Sequence, residues 1–124
     1  MAAAGRVSKS KRQWLALATL LALVASGCGE AGQRADGKEV FTEHCSSCHQ
    51  VDGRGYDQVY PNLAGNPIVQ LPDAAPMIDI VLNGRGSMPP FAEELTQRQL
   101  AAVISYVRGA WGNDQSAVSP SEVG

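Results

Sequence analysis

Apolar positions recur with a helical period in three places along the 124-residue chain, and Gly- and Pro-rich stretches separate them. The clearest series is Leu100, Val103, Ile104 and Val107, spaced i, i+3, i+4, i+7, which lines one face of a helix. Thr96-Gln97-Arg98-Gln99 ahead of it has the T-x-x-Q form of a capping box and sets the start of that helix. Met77, Ile80 and Val81 make a shorter stripe on a helix expected over Ala74 to Leu82, with Gly84 as its stop. A first helix is expected from about Gly37, behind the D-x-x-E box Asp36-Gly37-Lys38-Glu39. On it Phe41 and Cys45 lie four apart and share a face. The pattern predicts an all-α domain over residues 36–112, and the Ser-rich stretch 113–124 reads as a disordered tail.

Upstream the pattern changes. An apolar run from Trp14 to about Ala25 follows Arg6, Lys9, Lys11 and Arg12 and leads into small residues before Cys28. A basic start and an apolar run short of the roughly 20 residues that cross a bilayer read as an export signal over residues 1–27. Leu23-Val24-Ala25-Ser26-Gly27-Cys28 resembles a bacterial lipobox, with Ala25 where that motif usually has Leu. The resemblance implies acylation of Cys28, a flexible tether over residues 28–35, and a domain held at the membrane surface on the periplasmic side. The alternative is ordinary cleavage near Ala25 to Gly27, which releases a soluble periplasmic protein.

Charge follows from that processing. The chain has 10 Lys+Arg against 12 Asp+Glu, and loss of the four basic residues of the leader leaves six against twelve, a net charge near −6. An acidic domain without a basic patch excludes nucleic acid as a partner and favours a partner with a basic face. A domain this small also buries a thin core and needs a staple such as a disulfide, a metal or a covalently held cofactor.

Cys45-Ser46-Ser47-Cys48-His49 is the candidate staple. Two thiols three positions apart lie on one side of a helical turn, and the adjoining imidazole completes a C-x-x-C-H haem attachment site. A thioredoxin-type pair would need a strand before it, where a helix is expected. A closed zinc site needs four ligands, and only His44 and Cys28 remain outside the run. A structural disulfide leaves His49 unexplained. With Cys45 and Cys48 on haem and Cys28 on lipid, no exposed thiol is left over.

Tyr60-Pro61-Asn62-Leu63-Ala64-Gly65 follows, and with C-x-x-C-H it resembles class I c-type cytochromes. The resemblance implies a small cytochrome c-like fold of about three main helices around one covalently bound haem c. By motif, the Pro61 carbonyl accepts the second N–H of His49, and Leu63 packs on the porphyrin. It also implies contact between the terminal helices, for which Phe41 and Tyr106 are candidates. A ligating histidine needs its free N–H satisfied in any case.

The other axial position falls to Met77 or Met88. Met77 lies on a helix stripe, where a Met usually fills core. Met88 sits in the loop Asn83 to Phe91, stiffened by Pro89-Pro90, and Met88-Pro89-Pro90-Phe91 resembles the distal-ligand segment of bacterial class I cytochromes. His49 and Met88 together saturate the iron, which implies a one-electron carrier and no enzyme. The segments Tyr60 to Pro67, Leu82 to Phe91 and Trp111-Gly112-Asn113 resemble the cytochrome subunits of bacterial membrane-bound dehydrogenases and terminal oxidases, which implies such enzymes as partners. The alternative is a haem-based ligand sensor with a labile distal Met.

Overall fold

The computed structural model describes residues 35–124. The expected leader, Cys28 and the tether up to residue 34 lie outside the described residues.

Four helices and a closing 3-10 turn follow in order: α1 (Gly37–His44), α2 (Ser46–His49), α3 (Ala75–Asn83), α4 (Gln97–Gly109) and the turn Pro120–Glu122. No strand occurs among the described residues, where Tyr56 with Tyr60 and Arg85 with Met88 form isolated antiparallel bridges. No described helix is long and apolar enough to cross a membrane. The fold is the small all-α one expected.

Each helix starts where its cap residues allow. The Asp36 carboxylate accepts from the Lys38 and Glu39 amides at 2.9 and 3.4 Å, which satisfies two of the N–H groups that a helix start leaves open. In α3, expected from Ala74, that residue is the N-cap; the Asp73 carboxylate takes the Ala75 amide at 3.0 Å, and Pro76 lies in the first turn. Thr96 and Gln99 close the capping box of α4 as its sequence predicts.

The first helix does not run unbroken into C-x-x-C-H. It ends at His44, Cys45 bends at φ −118°, and α2 carries the motif as a separate turn. The Cys45 amide still donates to the Phe41 carbonyl at 2.9 Å, and the Cys45 carbonyl accepts from His49 at 3.0 Å, so the break keeps its backbone partners.

Helices α1 and α4 cross where Gly37 removes a side chain: a Cβ there would sit on the Ala102 carbonyl. Beside the crossing, Phe41 meets Tyr106 at 5.6 Å and Trp111 at 5.0 Å between ring centroids, and Tyr106 meets Trp111 edge-on at 5.4 Å. The Phe41–Tyr106 pair is the expected contact between terminal helices, and Trp111 completes it. Tilted and edge-on pairs add about 0.5–1.5 kcal/mol each beyond area burial. Phe41, Leu100 and Ile104 are the most deeply buried apolar side chains of the core.

The segment 113–124 is ordered and packs on α4, contrary to the disordered tail that its composition suggests. Val118 and Val123 are buried. The Val118 amide donates to Ser105 Oγ at 2.8 Å, and that hydroxyl donates to the Val118 carbonyl at 3.2 Å. Two buried valines and a paired backbone offset the ordering cost that a polar composition cannot.

Candidate functional site

One wall of the site is built by α2 and the loop after it. Gln50 takes φ 59°, which turns the chain away from α2, and the His49 carbonyl accepts from the Gly55 amide at 2.9 Å. The Gln50 side-chain amide also donates to the Gly55 carbonyl. The loop then returns so that His49 Nδ1 stands 3.0 Å from the Pro61 carbonyl oxygen. A carbonyl only accepts, so Nδ1 carries the proton and Nε2 holds the free lone pair. The imidazole is 8 % exposed. The Leu63 amide donates to the Gly53 carbonyl at 2.7 Å, and Gly53 lies so close to Trp111 that a Cβ would overlap the indole.

Cys45 and Cys48 are free thiols, both half-buried. Burial, and then the neighbouring Cys48, pushes the Cys45 thiol up to about 11. Near neutral pH Cys45 is therefore a neutral thiol in an apolar wall. No group of three or more His, Cys, Asp or Glu side chains gathers to hold a metal ion among the described residues.

Met88 reaches the site from the loop after α3. Gly84 ends α3 at φ 75°, and a Cβ there would press on the Met88, Pro89 and Pro90 backbone. The bridge between Arg85 and Met88, 3.0 Å in both directions, closes the loop tightly. Met77 is buried on α3, as its stripe predicts.

Cys45, Cys48, His49, Pro61, Leu63 and Met88 line one cavity of about 430 Å³, with Met77 among its other walls. Phe41, Ile68, Val69, Val81, Ile104 and Val107 supply much of the apolar lining. Cofactor pockets run from about 300 to 1,000 Å³, mostly apolar with a few placed polar groups. Two thiols, an oriented imidazole and a thioether around an apolar cavity fit a haem.

The Cytochrome_CBB3 family, described as cytochrome C oxidase, cbb3-type, subunit III, matches residues 32–107. The chain belongs to that family of c-type cytochromes. Cytochrome c-552 of Thermus thermophilus is 31% identical to it over 110 residues, covering 77% of this chain and 72% of the relative. The cytochrome c subunit of the quinone alcohol dehydrogenase of Gluconobacter oxydans is 33% identical over 107 residues, 76% of this chain and 22% of the relative. CcoP, a cbb3-type oxidase subunit of Cereibacter sphaeroides, is 32% identical over 87 residues, 68% of this chain and 30% of the relative. The cytochrome therefore spans only a fifth to a third of these dehydrogenase and oxidase subunits. Among solved structures, the KustC0563 c-type cytochrome superposes with a TM-score of 0.52 at 30% identity, over 60% of this chain and 95% of the other. The cofactor is haem c, with its iron, covalently attached.

Two residues that hold the site are absent from the sequence reading as site residues. Asn113, 4 % exposed, donates to the Leu63 and Val107 carbonyls at 3.1 and 2.8 Å, and its Oδ1 accepts from the Gly65 amide at 2.8 Å and from Gln70 at 3.1 Å. It thus fixes the Pro61 to Gly65 loop to the end of α4. The cytochrome also buries Arg108 against the loop over residues 69–72. Arg108 lies in no motif, and Asn113 belongs to the Trp111-Gly112-Asn113 segment without a stated role; both act mainly through backbone groups that a sequence does not display.

Proposed function

We propose that this cytochrome is a one-electron carrier whose haem is held by thioethers from Cys45 and Cys48 and ligated by His49 and Met88. When bound, the haem supplies an iron that cycles between ferric and ferrous states. The observation that carries the reading is the 3.0 Å contact of His49 Nδ1 with the Pro61 carbonyl. That bond fixes the ring, makes Nε2 the ligating nitrogen and raises its basicity. Leu63 excludes water from the porphyrin face. Both methionines line the cavity, and Met88 is favoured because it sits on a tight loop, while Met77 is buried on the stripe of α3. A thioether in the last position saturates the iron and favours its reduced state, so the cytochrome carries electrons and is not an enzyme.

The partners in this reading are membrane-bound dehydrogenases or terminal oxidases on the periplasmic side, with the cytochrome anchored by lipid on Cys28. The relatives that are subunits of such redox enzymes support it. Val51, Tyr56 and Val59 stand exposed in the loop after the attachment site, and Val59, 67 % exposed, also lines the cavity. Exposed apolar side chains at a cofactor's mouth suit a transient docking surface.

The test is an optical spectrum of the haem-loaded protein, oxidised and reduced, in wild type, Met88→Ala and Met77→Ala. Wild type and Met77→Ala should show the weak long-wavelength band of a thioether on ferric haem, and Met88→Ala should lose it and bind CO when reduced. A wild-type protein that lacks the band and binds CO has an open sixth position, which overturns the carrier in favour of a ligand sensor.

A further inference from the structure

Arg108 is 1 % exposed, and it is the one permanently charged side chain among the buried residues described. Each of its three guanidinium nitrogens donates at least one hydrogen bond. Nε donates to the Ser116 carbonyl at 2.9 Å, Nη1 to Leu71 at 3.0 Å and Val69 at 3.4 Å, and Nη2 to Pro72 at 3.1 Å. Every acceptor is a neutral carbonyl. No ion pair to Arg108 occurs among the described residues. Glu122 feels its charge, but that carboxylate is fully exposed and is held mainly by Ser119. Carbonyl dipoles satisfy the N–H groups without cancelling the net charge, and a guanidinium does not release its proton inside a protein.

The position of this charge relates it to the cofactor. Arg108 follows Val107, which lines the cavity, and one of its acceptors belongs to Val69, which lines it too. The cation therefore stands directly behind the cavity wall, in a medium where charge is screened far less than in water. Reduction adds one electron to the iron, breaks no bond and lowers the local positive charge by one. A fixed cation nearby disfavours the ferric state more than the ferrous one.

We infer that the Arg108 guanidinium, buried behind the cavity wall formed by Val69 and Val107, raises the reduction potential of the haem through space. The inference rests on haem in this cavity and deepens the carrier reading, since it sets the driving force of the carried electron. It does not depend on which methionine binds iron.

Potentiometric titration of the haem-loaded protein tests it, in wild type and in Arg108→Met, Arg108→Gln and Arg108→Lys, at mildly acidic pH so that the lysine stays charged. The two neutral variants should lose about tenfold in the one-electron equilibrium constant, a fall of about 59 mV, while Arg108→Lys stays within threefold of wild type, about 28 mV. Neutral variants at the wild-type potential overturn the inference. So does a fall in Arg108→Lys as large as in Arg108→Met, which would mark a packing effect. Should the neutral variants fail to fold, Leu71→Glu and Leu71→Gln decide, because Leu71 is exposed while its carbonyl sits on the guanidinium. The Glu variant must then show the lower potential, and equal potentials overturn the inference. Spectra recorded on every variant keep the two readings apart: loss of the thioether band in wild type sinks the carrier alone, and an unmoved potential sinks Arg108 alone.

Discussion

His49 and Pro61 are twelve residues apart, and what brings them to 3.0 Å is a set of small backbone bonds that end on Asn113. Its amide carries a donor pair and an acceptor, and all are used: two carbonyls, one backbone amide and the Gln70 side chain. Removing it leaves the buried Val107 carbonyl and the part-buried Leu63 carbonyl and Gly65 amide without that partner, and the loss at Val107, where water cannot enter, costs about 1–3 kcal/mol. Asn113→Ala should therefore destabilise the folded cytochrome by at least that amount in denaturant unfolding followed through the haem spectrum. A variant as stable as wild type would show that the loop over residues 61–65 is held by other means. C-x-x-C-H, Pro61, Leu63 and Met88 stand out in the sequence by type and spacing, and they line one cavity. Asn113 does not stand out, because an Asn beyond a helix end reads as a turn former whether or not it is buried.

At the scale of elements, the three main helices start within a residue of where periodicity and caps put them, since both signals are local. Two features differ. The break at Cys45 separates α1 from the attachment turn, and the segment 113–124 lies against α4. The tail depends on Ser105, thirteen positions away in sequence, which a helical pattern does not contain; the break at Cys45 keeps local backbone partners. The final turn makes a prediction about pH. Side-chain and backbone hydrogen bonds from Ser119 hold the Glu122 carboxyl below its usual 4.5. A carboxyl lowered on folding contributes stability that is complete above 4.5 and is lost as pH falls through the lowered value. Amide exchange at Val118 and Val123 should thus quicken relative to α4 as pH drops below 4.5, after correction for intrinsic rates, and Glu122→Gln should abolish the difference. Identical behaviour of the two proteins would exclude this carboxylate as a clasp.

On the scale of the molecule, charge and cavity act together. Residues 35–124 carry five Lys or Arg against eleven Asp or Glu, an acidic balance, so encounter with a basic redox partner is steered at long range and screened by salt. Stopped-flow electron transfer to a positively charged partner protein should slow steadily as ionic strength rises, while transfer to a neutral small-molecule mediator stays nearly constant. A rate that climbs with salt would mean that the docking face is not the acidic one. Inside, the same molecule keeps one cation against the general trend, and the carbonyl cage around Arg108 is what lets it do so.

The sequence by itself determined the helices, the all-α class and the covalent chemistry of the attachment site, because capping, periodicity and the C-x-x-C-H spacing act over a few residues. Only the tertiary structure decided that the last twelve residues are part of the domain, that Asn113 fixes the loop behind His49, and that Arg108 is buried without a counter-charge. Those facts arise from groups brought together across 13 positions of chain for the last segment and 36 to 50 for the two loops. Backbone carbonyls are the same in every residue, so the partners they find are written in the fold and not in the order of side chains.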